Sequence, residues 1–319
     1  MKLKNRRWLF TIIAFVLVLG AVFLGGTIYH KSKQRHVPVA MALDDGYLYP
    51  TVVSITSMME NKSGDTVYDY YIMHPEEFSE NSKTLLKSLG KKYKKCNINL
   101  IDMGQKYKNA NDKGHITTPA YYRLSLSELL PNLDKILWID GDTLVLDDLQ
   151  TMLETDVSGL YYRGFLDDTV DAADSFGVYN DHCICDGVMV VNLAELRKDD
   201  MVNKFQKFIE ENNEKLVQHD QTVVNVVCVG KIDKLNPRYG MFNYYYETSA
   251  LRKYYELLRT KEKYTMEELL AAREHPVIVH CVNKPWKSKG CGFFNEWWDY
   301  AKKTDCYEEI AKKYSAVLE

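Results

Sequence analysis

The sequence predicts an α/β protein, with a mixed, mostly parallel β-sheet flanked by helices and one membrane-spanning helix in front of it. Short apolar runs alternate with segments of helical periodicity, which is the pattern of a parallel sheet covered by helices. Acidic and polar residues follow directly after several of these runs, at the edge where such sheets bind ligands. No repeat or Pro/Gly-rich linker interrupts the chain after residue 40, so we expect one continuous domain.

The N-terminal residues predict a membrane anchor. No charged side chain lies between Trp8 and Tyr29, and at ~1.5 Å per residue this stretch is long enough to cross a hydrocarbon core of ~30 Å. A cleaved signal peptide is the alternative, with Gly25–Thr27 as a weak cleavage site. Four basic side chains precede the stretch and three follow it, which favours a cytosolic N-terminus.

This interpretation divides the chain into four segments. They are a basic tail (1–7), a transmembrane anchor (8–29), a short stem (30–38) and a catalytic domain (39–319). We therefore expect a single-pass membrane protein. In a eukaryote the domain would face the Golgi lumen. In a bacterium the protein would lie in the inner membrane.

Charge and cysteine usage exclude two classes of protein. Seven of the 41 basic side chains fall in the first 36 residues, which contain no acid, so the remainder carries 34 Lys and Arg against 44 Asp and Glu. Because phosphate binding requires clustered positive charge, no nucleic-acid partner is expected. The seven cysteines lack a repeated Cys-x-x-Cys spacing, so they predict neither a zinc site nor a disulfide framework.

The elements follow in order along the domain. We predict strands at Val37–Leu43, Thr66–Met73, Ile98–Ile101, Ile136–Ile139, Gly187–Asn192 and Pro276–His280. We predict helices at Tyr49–Asn61, Ser79–Tyr93 and Asp199–Asn212, and a further amphipathic helix rich in aromatic residues at Phe293–Lys303.

The most informative strand end is Asp140-Gly141-Asp142, which follows the apolar run Ile136–Ile139. Alternation along an extended chain would point both carboxylates to one side, with the glycine leaving room for a ligand near the backbone. Two converging carboxylates can hold Mg²⁺ or Mn²⁺, ions that complete their shell with water and substrate phosphates. The alternative is an Asp-Gly hairpin turn, with Asp147 as a helix cap.

Two other predicted strands also end in polar chemistry. The first ends in Asp44-Asp45-Gly46-Tyr47, and the last ends in His280, followed by Lys284. An imidazole at that position can add a nitrogen to a metal held by carboxylates, and Lys284 is a point charge suited to phosphate oxygens. A hydrogen-bonded histidine and an exposed lysine are the alternatives.

Six segments of the chain, taken together, carry a resemblance to one family. They are Met41–Tyr47, His115–Leu124, Asp140–Asp142, Asp186–Leu193, His219–Gln221 and His280–Trp286. In this order they resemble the family 8 glycosyltransferases, the retaining enzymes that include glycogenin and the bacterial lipooligosaccharide galactosyltransferases. The resemblance implies a GT-A type, Rossmann-like fold that transfers a hexosyl group from a nucleotide diphosphate sugar, with UDP as the expected nucleotide, to a glycan, glycolipid or glycoprotein.

The resemblance also implies roles for individual residues. It implies Mn²⁺ or Mg²⁺ held by Asp140, Asp142 and His280; a nucleotide sugar contacted by Ala42, Asp44, Tyr47 and Lys284; and a reacting sugar oriented by Arg123, Asp186, Asp220 and Gln221. Because an amide is a poor nucleophile, we expect same-face attack rather than a covalent intermediate on Gln221. Asp220 has the alternative of capping a helix.

Three departures from the family pattern leave other functions open. Gly46 stands where an Asn is common, Cys185-Asp186 replaces Asn-Ser or Asn-Ala, and only three residues separate His280 from Lys284. A membrane-anchored module that binds nucleotide sugars without turnover is therefore one alternative. A nucleotidyltransferase is another, although it would normally carry a glycine-rich basic loop after the first strand.

Overall fold

The computed structural model of the protein describes residues 34–110, 117–167, 174–178, 182–257 and 263–319. The predicted basic tail and anchor lie outside the described residues, as do His115 and Ile116 of the predicted motif His115–Leu124. The first strand begins at Arg35, inside the predicted stem 30–38.

The described chain forms two sheets. Their strands are β1 (Arg35–Ala42), β2 (Thr66–His74), β3 (Cys96–Asp102), β4 (Lys135–Ile139), β5 (Thr143–Val145), β6 (Tyr162–Leu166), β7 (Ile184–Asn192), β8 (Ile232–Lys234), β9 (Tyr239–Phe242) and β10 (Ile278–His280). Seven strands form the main sheet in the order β3-β2-β1-β4-β7-β6-β8, and three form a small sheet in the order β5-β10-β9. In the main sheet β7 runs antiparallel to both neighbours, and the other pairs are parallel.

Helices cover both faces of the main sheet. The α-helices are α1 (Leu48–Asn61), α2 (Glu80–Lys92), α3 (Leu126–Leu129), α4 (Gln150–Leu153), α5 (Leu193–Lys198), α6 (Met201–Asn212), α7 (His219–Val227), α8 (Thr248–Leu257), α9 (Met266–Glu274), α10 (Phe294–Ala301), α11 (Tyr307–Lys313) and α12 (Ser315–Leu318). Short 3₁₀ helices occur at Asp45–Tyr47, Thr118–Ser125, Asp174–Phe176, Asn213–Lys215 and Asn243–Tyr246.

The mixed, mostly parallel sheet predicted from the sequence is confirmed, and its central strands are buried on both faces. Val39 and Leu137 belong to one hydrophobic cluster, whereas their neighbours Ala40 and Trp138 belong to the cluster on the opposite face. Because successive side chains point to opposite faces, a strand covered on both sides must be apolar at nearly every position. This is why β1 and β4 could be recognised as continuous apolar runs.

One predicted strand lies in a different sheet from the one expected. β10 pairs with β5 and β9 in the small sheet, rather than with strands of the main sheet. The strands β5, β6, β8 and β9 were not predicted, because runs of three to five residues carry little periodicity of their own. The register of the antiparallel pair places His280 opposite Thr143.

The membrane localisation inferred from the sequence must be corrected. Across the ranges given above, no helix is both long enough and apolar enough to span a bilayer. The segment assigned to that role, residues 8–29, falls outside those ranges. The single-pass localisation is accordingly withdrawn.

Candidate active site

A cavity of about 400 Å³ lies at the carboxyl ends of β1 and β4, and every site residue predicted from the sequence lines it. Three larger grooves have volumes of about 660, 540 and 490 Å³. None of them contains the one Asp/His group of the described residues that could hold a metal ion. We therefore place the chemistry in the smaller cavity.

The metal-binding group is built where the chain leaves the main sheet for the small one. Asp140 N–H donates to the carbonyl of Gly187 on β7 at 2.8 Å, and the carbonyl of Asp142 accepts from Cys281 N–H, beyond β10, at 2.8 Å. Potential ligand atoms of Asp140, Asp142 and His280 all lie within 4.8 Å of one another. The second of these backbone hydrogen bonds helps to bring His280 to the two aspartates, from which it is 138 and 140 positions away in the sequence.

Asp140-Gly141-Asp142 do form a turn between β4 and β5, but not the hairpin of the alternative interpretation, because the two strands belong to different sheets. The glycine also has a packing role that was not predicted. A Cβ at Gly141 would lie 2.3 Å from Thr51 Oγ1, so the glycine permits α1 to approach the backbone. Asp147 does not cap a helix; Asp148 Oδ1 accepts from Gln150 N–H at 2.9 Å.

The group fits a divalent cation. Asp142 is buried, and its Oδ1 has no hydrogen-bond partner although it lies 3.2 Å from His280 Nε2. Burial alone would raise the pKa of Asp142, but the Lys284 ammonium and His280 lower it well below its ordinary value, so the carboxylate is ionised. An ionised, buried oxygen beside an imidazole nitrogen and a second carboxylate is the donor set that Mg²⁺ and Mn²⁺ accept.

Arg123 organises the other side of the cavity. Its guanidinium contacts three carboxylates, with Nη2 3.2 Å from Asp140 Oδ1, Nη1 2.9 Å from Asp186 Oδ1 and Nε 2.8 Å from Asp220 Oδ2. It also lies 4.5 Å from the centre of the Trp138 ring. Burial works against its charge, but the carboxylates raise the pKa of Arg123, so it remains a cation.

Asp186 and Asp220 lie side by side against this guanidinium. Burial raises the pKa of Asp186 well above its usual range. The negative charge of Asp220 adds to this shift, although the positive charge of Arg123 opposes it. Gln221 Oε1 accepts from Asp186 N–H at 3.2 Å, and its amide nitrogen donates to Gln218 at 3.1 Å. Asp220 does not cap its helix as the alternative required, since α7 starts at His219 and Gln218 precedes it.

A register shift in the sheet explains how Asp186 reaches the cavity. Pairing between β6 and β7 passes from Gly164–Met189 directly to Phe165–Cys185, so that residues 186–188 lie between two consecutive residues of the neighbouring strand. Such bulges redirect side chains next to active sites.

The residues predicted to hold the nucleotide lie on the loop after β1 and beside the metal-binding group. Asp44 Oδ1 accepts from Gly46 N–H at 2.9 Å and from Tyr47 N–H at 3.1 Å, which fixes the loop after β1. Tyr47 lies edge-on to Trp286, with ring centroids 6.1 Å apart, and its hydroxyl donates to Asp142 Oδ2 at 3.4 Å. Lys284 forms an ion pair with the same carboxylate, so the short spacing from His280 still brings it to the metal-binding group.

Sequence reasoning missed several residues of the site, and three of these contact the predicted metal ligands. Trp138 Nε1–H donates to Asp140 Oδ1 at 2.7 Å, and alternation along β4 could have indicated it, because it lies two residues before Asp140. Cys185 Sγ lies 3.7 Å from His280 Nδ1. A Cβ on Gly187 would fall 2.5 Å from His280 Cε1. No sequence signal links Cys185 or Gly187 to a residue more than 90 positions away.

The mostly parallel sheet with an acidic, metal-binding edge is consistent with the GT-A fold class. The chain belongs to glycosyl transferase family 8, whose family model matches residues 38–290, and it is a retaining glycosyltransferase. The resemblance seen in the motifs is thereby confirmed.

Individual relatives agree with this assignment. The chain is 24% identical over 273 residues to General stress protein A of Bacillus subtilis, covering 80% of this chain and 89% of the relative. It is 24% identical over 272 residues to Glycosyltransferase GlyF of Streptococcus pneumoniae, covering 82% of this chain but only 60% of GlyF. Among solved structures, the galactosyltransferase LgtC in complex with donor and acceptor sugar analogues superposes with a TM-score of 0.65 at 20% identity, covering 89% of this chain and 97% of LgtC.

Proposed function

We propose that this cavity transfers a hexosyl group from a UDP-sugar to a hydroxyl of a carbohydrate-bearing acceptor, and that Mn²⁺ or Mg²⁺ is required. The single observation that carries the proposal is the convergence of Asp140, Asp142 and His280 at the edge of the sheet, beside the Arg123 cluster. We assign the catalytic domain to residues 39–319.

The leaving diphosphate would be stabilised at the metal-binding group. Breaking the bond between the anomeric carbon and the phosphate oxygen develops negative charge on the departing nucleotide. A cation bound by Asp140, Asp142 and His280 supplies Lewis-acid stabilisation of that charge. Lys284 supplies a second positive charge within the same cavity, where it is already paired with Asp142.

We assign the uridine to the loop after β1. The Asp44 carboxylate is held by two backbone N–H groups, which leaves its second oxygen to accept a hydrogen bond from the base. The backbone of Ala42 ends β1 next to it. Tyr47 would have to turn away from Trp286 to stack on the base, so its contribution in the unliganded protein is the hydrogen bond to Asp142.

The donor sugar would lie between Arg123 and the start of α7. The guanidinium of Arg123 is ion-paired with Asp186 and Asp220, and the amide of Gln221 is held by two hydrogen bonds. Groups restrained in this way are suited to accepting hydrogen bonds from sugar hydroxyls, whereas a nucleophile needs a free, activated lone pair. This supports same-face attack by the acceptor, with Arg123, Asp186, Asp220 and Gln221 orienting the sugar.

The test is UDP release from a panel of UDP-hexoses, with and without Mn²⁺ and with mixed saccharide acceptors. We expect release with at least one donor, dependence on the metal, and a loss of at least about 100-fold in Asp142→Asn, since removal of one group that stabilises developing charge costs on that order. Asp147→Asn, a change at an exposed aspartate five residues away, is the matched control and should retain activity.

Other outcomes would point elsewhere. Tight UDP binding without turnover of any donor would favour the non-catalytic binding module. Pyrophosphate formation from a nucleoside triphosphate would favour nucleotidyl transfer.

A further inference from the structure

The imidazole of His280 has a polar neighbour at each of its two nitrogens. Nε2 lies 3.2 Å from Asp142 Oδ1, on the side of the metal-binding group. Nδ1 lies 3.7 Å from the sulfur of Cys185, which belongs to β7, 95 residues earlier in the chain. Both residues are buried, so the interactions of the ring are made with protein rather than with bulk water.

Apolar contacts hold the plane of this ring. The Phe242 ring meets it edge-on, with centroids 5.5 Å apart and the planes at 77°. The α-carbon of Gly187 lies so close to it that an added Cβ would come within 3.1 Å of Nδ1 and 2.5 Å of Cε1. With the plane held in this way, the protein still has to determine which nitrogen carries the proton. That choice matters, because only a nitrogen with a free lone pair can bind a cation.

We propose that Cys185 is a positioning residue for the metal site: its sulfur accepts a hydrogen bond from Nδ1–H of His280, which leaves the lone pair of Nε2 directed at Asp142 and the cation. This inference rests on the proposed metal site. Histidines that bind metals generally donate their other N–H to an acceptor, and that acceptor fixes the tautomer and the orientation of the ring.

The sulfur acts as an acceptor and not as a metal ligand. It faces Nδ1, whereas Asp142 faces Nε2 on the other side of the ring. A cation held between Nε2 and the Asp142 carboxylate would therefore lie on the side of the ring away from the sulfur.

The test is the affinity for Mn²⁺ alone, read from the electron paramagnetic resonance signal of the free ion. We expect Cys185→Val, which fills the space but accepts no hydrogen bond, to weaken Mn²⁺ binding by about 10- to 100-fold, the usual effect of losing such a partner. Cys185→Ser keeps an acceptor and should lose less. Cys228→Val, at another fully buried cysteine, is the matched control and should bind Mn²⁺ like the wild type.

Cobalt absorption provides a readout that general loss of packing does not reproduce. In Co²⁺-loaded wild type we expect no sulfur-to-cobalt charge-transfer band in the near ultraviolet, and in Cys185→Ser we expect the visible ligand-field bands to shift. A charge-transfer band would overturn the proposal by making Cys185 a ligand. These measurements stand even if Cys185→Val fails to fold.

The results also separate this inference from the function on which it rests. If the wild type binds neither Mn²⁺ nor Co²⁺, the metal site itself is disproved. If the wild type binds Mn²⁺ and folded Cys185→Val binds it equally well, the assignment of Cys185 alone is disproved.

Discussion

The ammonium of Lys284 is ion-paired with the carboxylate of Asp142, the same buried side chain that faces the imidazole of His280. Burial disfavours the charge on Lys284, but the Asp142 carboxylate raises the pKa of this lysine above its ordinary value. The lysine therefore supplies to Asp142 the positive charge that a divalent cation would otherwise provide. We expect the lysine and the metal to compete for the charge of this carboxylate until a diphosphate offers the lysine another partner.

This competition predicts an unusual effect of Lys284→Met. Without nucleotide, the variant should bind Mn²⁺ about tenfold more tightly, a gain of ~1.4 kcal/mol, because the competing ammonium is gone. UDP should bind more weakly, because the lysine is no longer available to the phosphates. Calorimetric titration of Mn²⁺ with and without UDP measures both effects. Lys287→Met, at an exposed lysine three residues on, is the control, and weaker Mn²⁺ binding in Lys284→Met alone would contradict the competition.

Arg123 should be essential to folding as well as to activity. Arg123→Ala would leave Asp140, Asp186 and Asp220 together without their shared cation, and loss of one partner from a buried ion pair costs about 3–5 kcal/mol. Arg123→Lys retains the positive charge but not the planar set of guanidinium N–H donors. We therefore expect this variant to fold and to lose most of its turnover. Urea unfolding and UDP release separate the two effects. Equal stability of Arg123→Ala and wild type would refute this account of the cluster.

Gly187→Ala should damage the metal site more than the fold. The new methyl group would fall 2.5 Å from His280 Cε1 and 2.9 Å from Asp140 Oδ2, so the imidazole and the Asp140 carboxylate must shift from their present positions. We expect at least about tenfold weaker Mn²⁺ binding, comparable to the loss of a residue that orients a ligand. Gly64→Ala is the matched control, because nothing lies within 4 Å of its added Cβ. Unchanged Mn²⁺ affinity in Gly187→Ala would argue against the position of the ring.

Asp45 should contribute stability that is lost in acid. Burial opposes its ionisation, but the hydrogen bonds from Ser82 and Ser79 together outweigh it and lower the pKa of Asp45 below its ordinary value. A carboxyl with a lowered pKa stabilises the fold above its unfolded-state pKa of ~3.9, and the stabilisation disappears as pH falls through the folded-state value. Asp45→Asn should therefore melt below the wild type at pH 6, with the difference narrowing towards pH 3. Thermal unfolding across this range measures it, and a constant difference at every pH would contradict the assignment.

Sequence reasoning located the elements that carry strong local signals. The apolar runs of β1 and β4 predicted buried strands because both faces of the sheet are covered. Aromatic residues at helical spacing predicted α10, in which Trp297 and Trp298 are buried. The rule that ligands bind beyond strand ends then selected Asp44, Asp140 and His280, and all three line one cavity. The predicted membrane localisation was wrong. It depended only on the composition of the N-terminal segment and not on any feature of the domain.

By itself, the sequence determined the α/β class, the family, and the residues that converge at the sheet edge, because periodicity and local motifs depend on near neighbours in the chain. Only the tertiary structure decided that β10 leaves the main sheet, that His280 lies opposite Thr143, that Arg123 is shared by three carboxylates, and that Cys185 and Lys284 approach the metal-binding group. These contacts join residues that are far apart in the sequence. They depend on the three-residue strand β10 and on the register shift between β6 and β7. Pairings of that kind are set by the packing of the whole domain, and no local pattern encodes them.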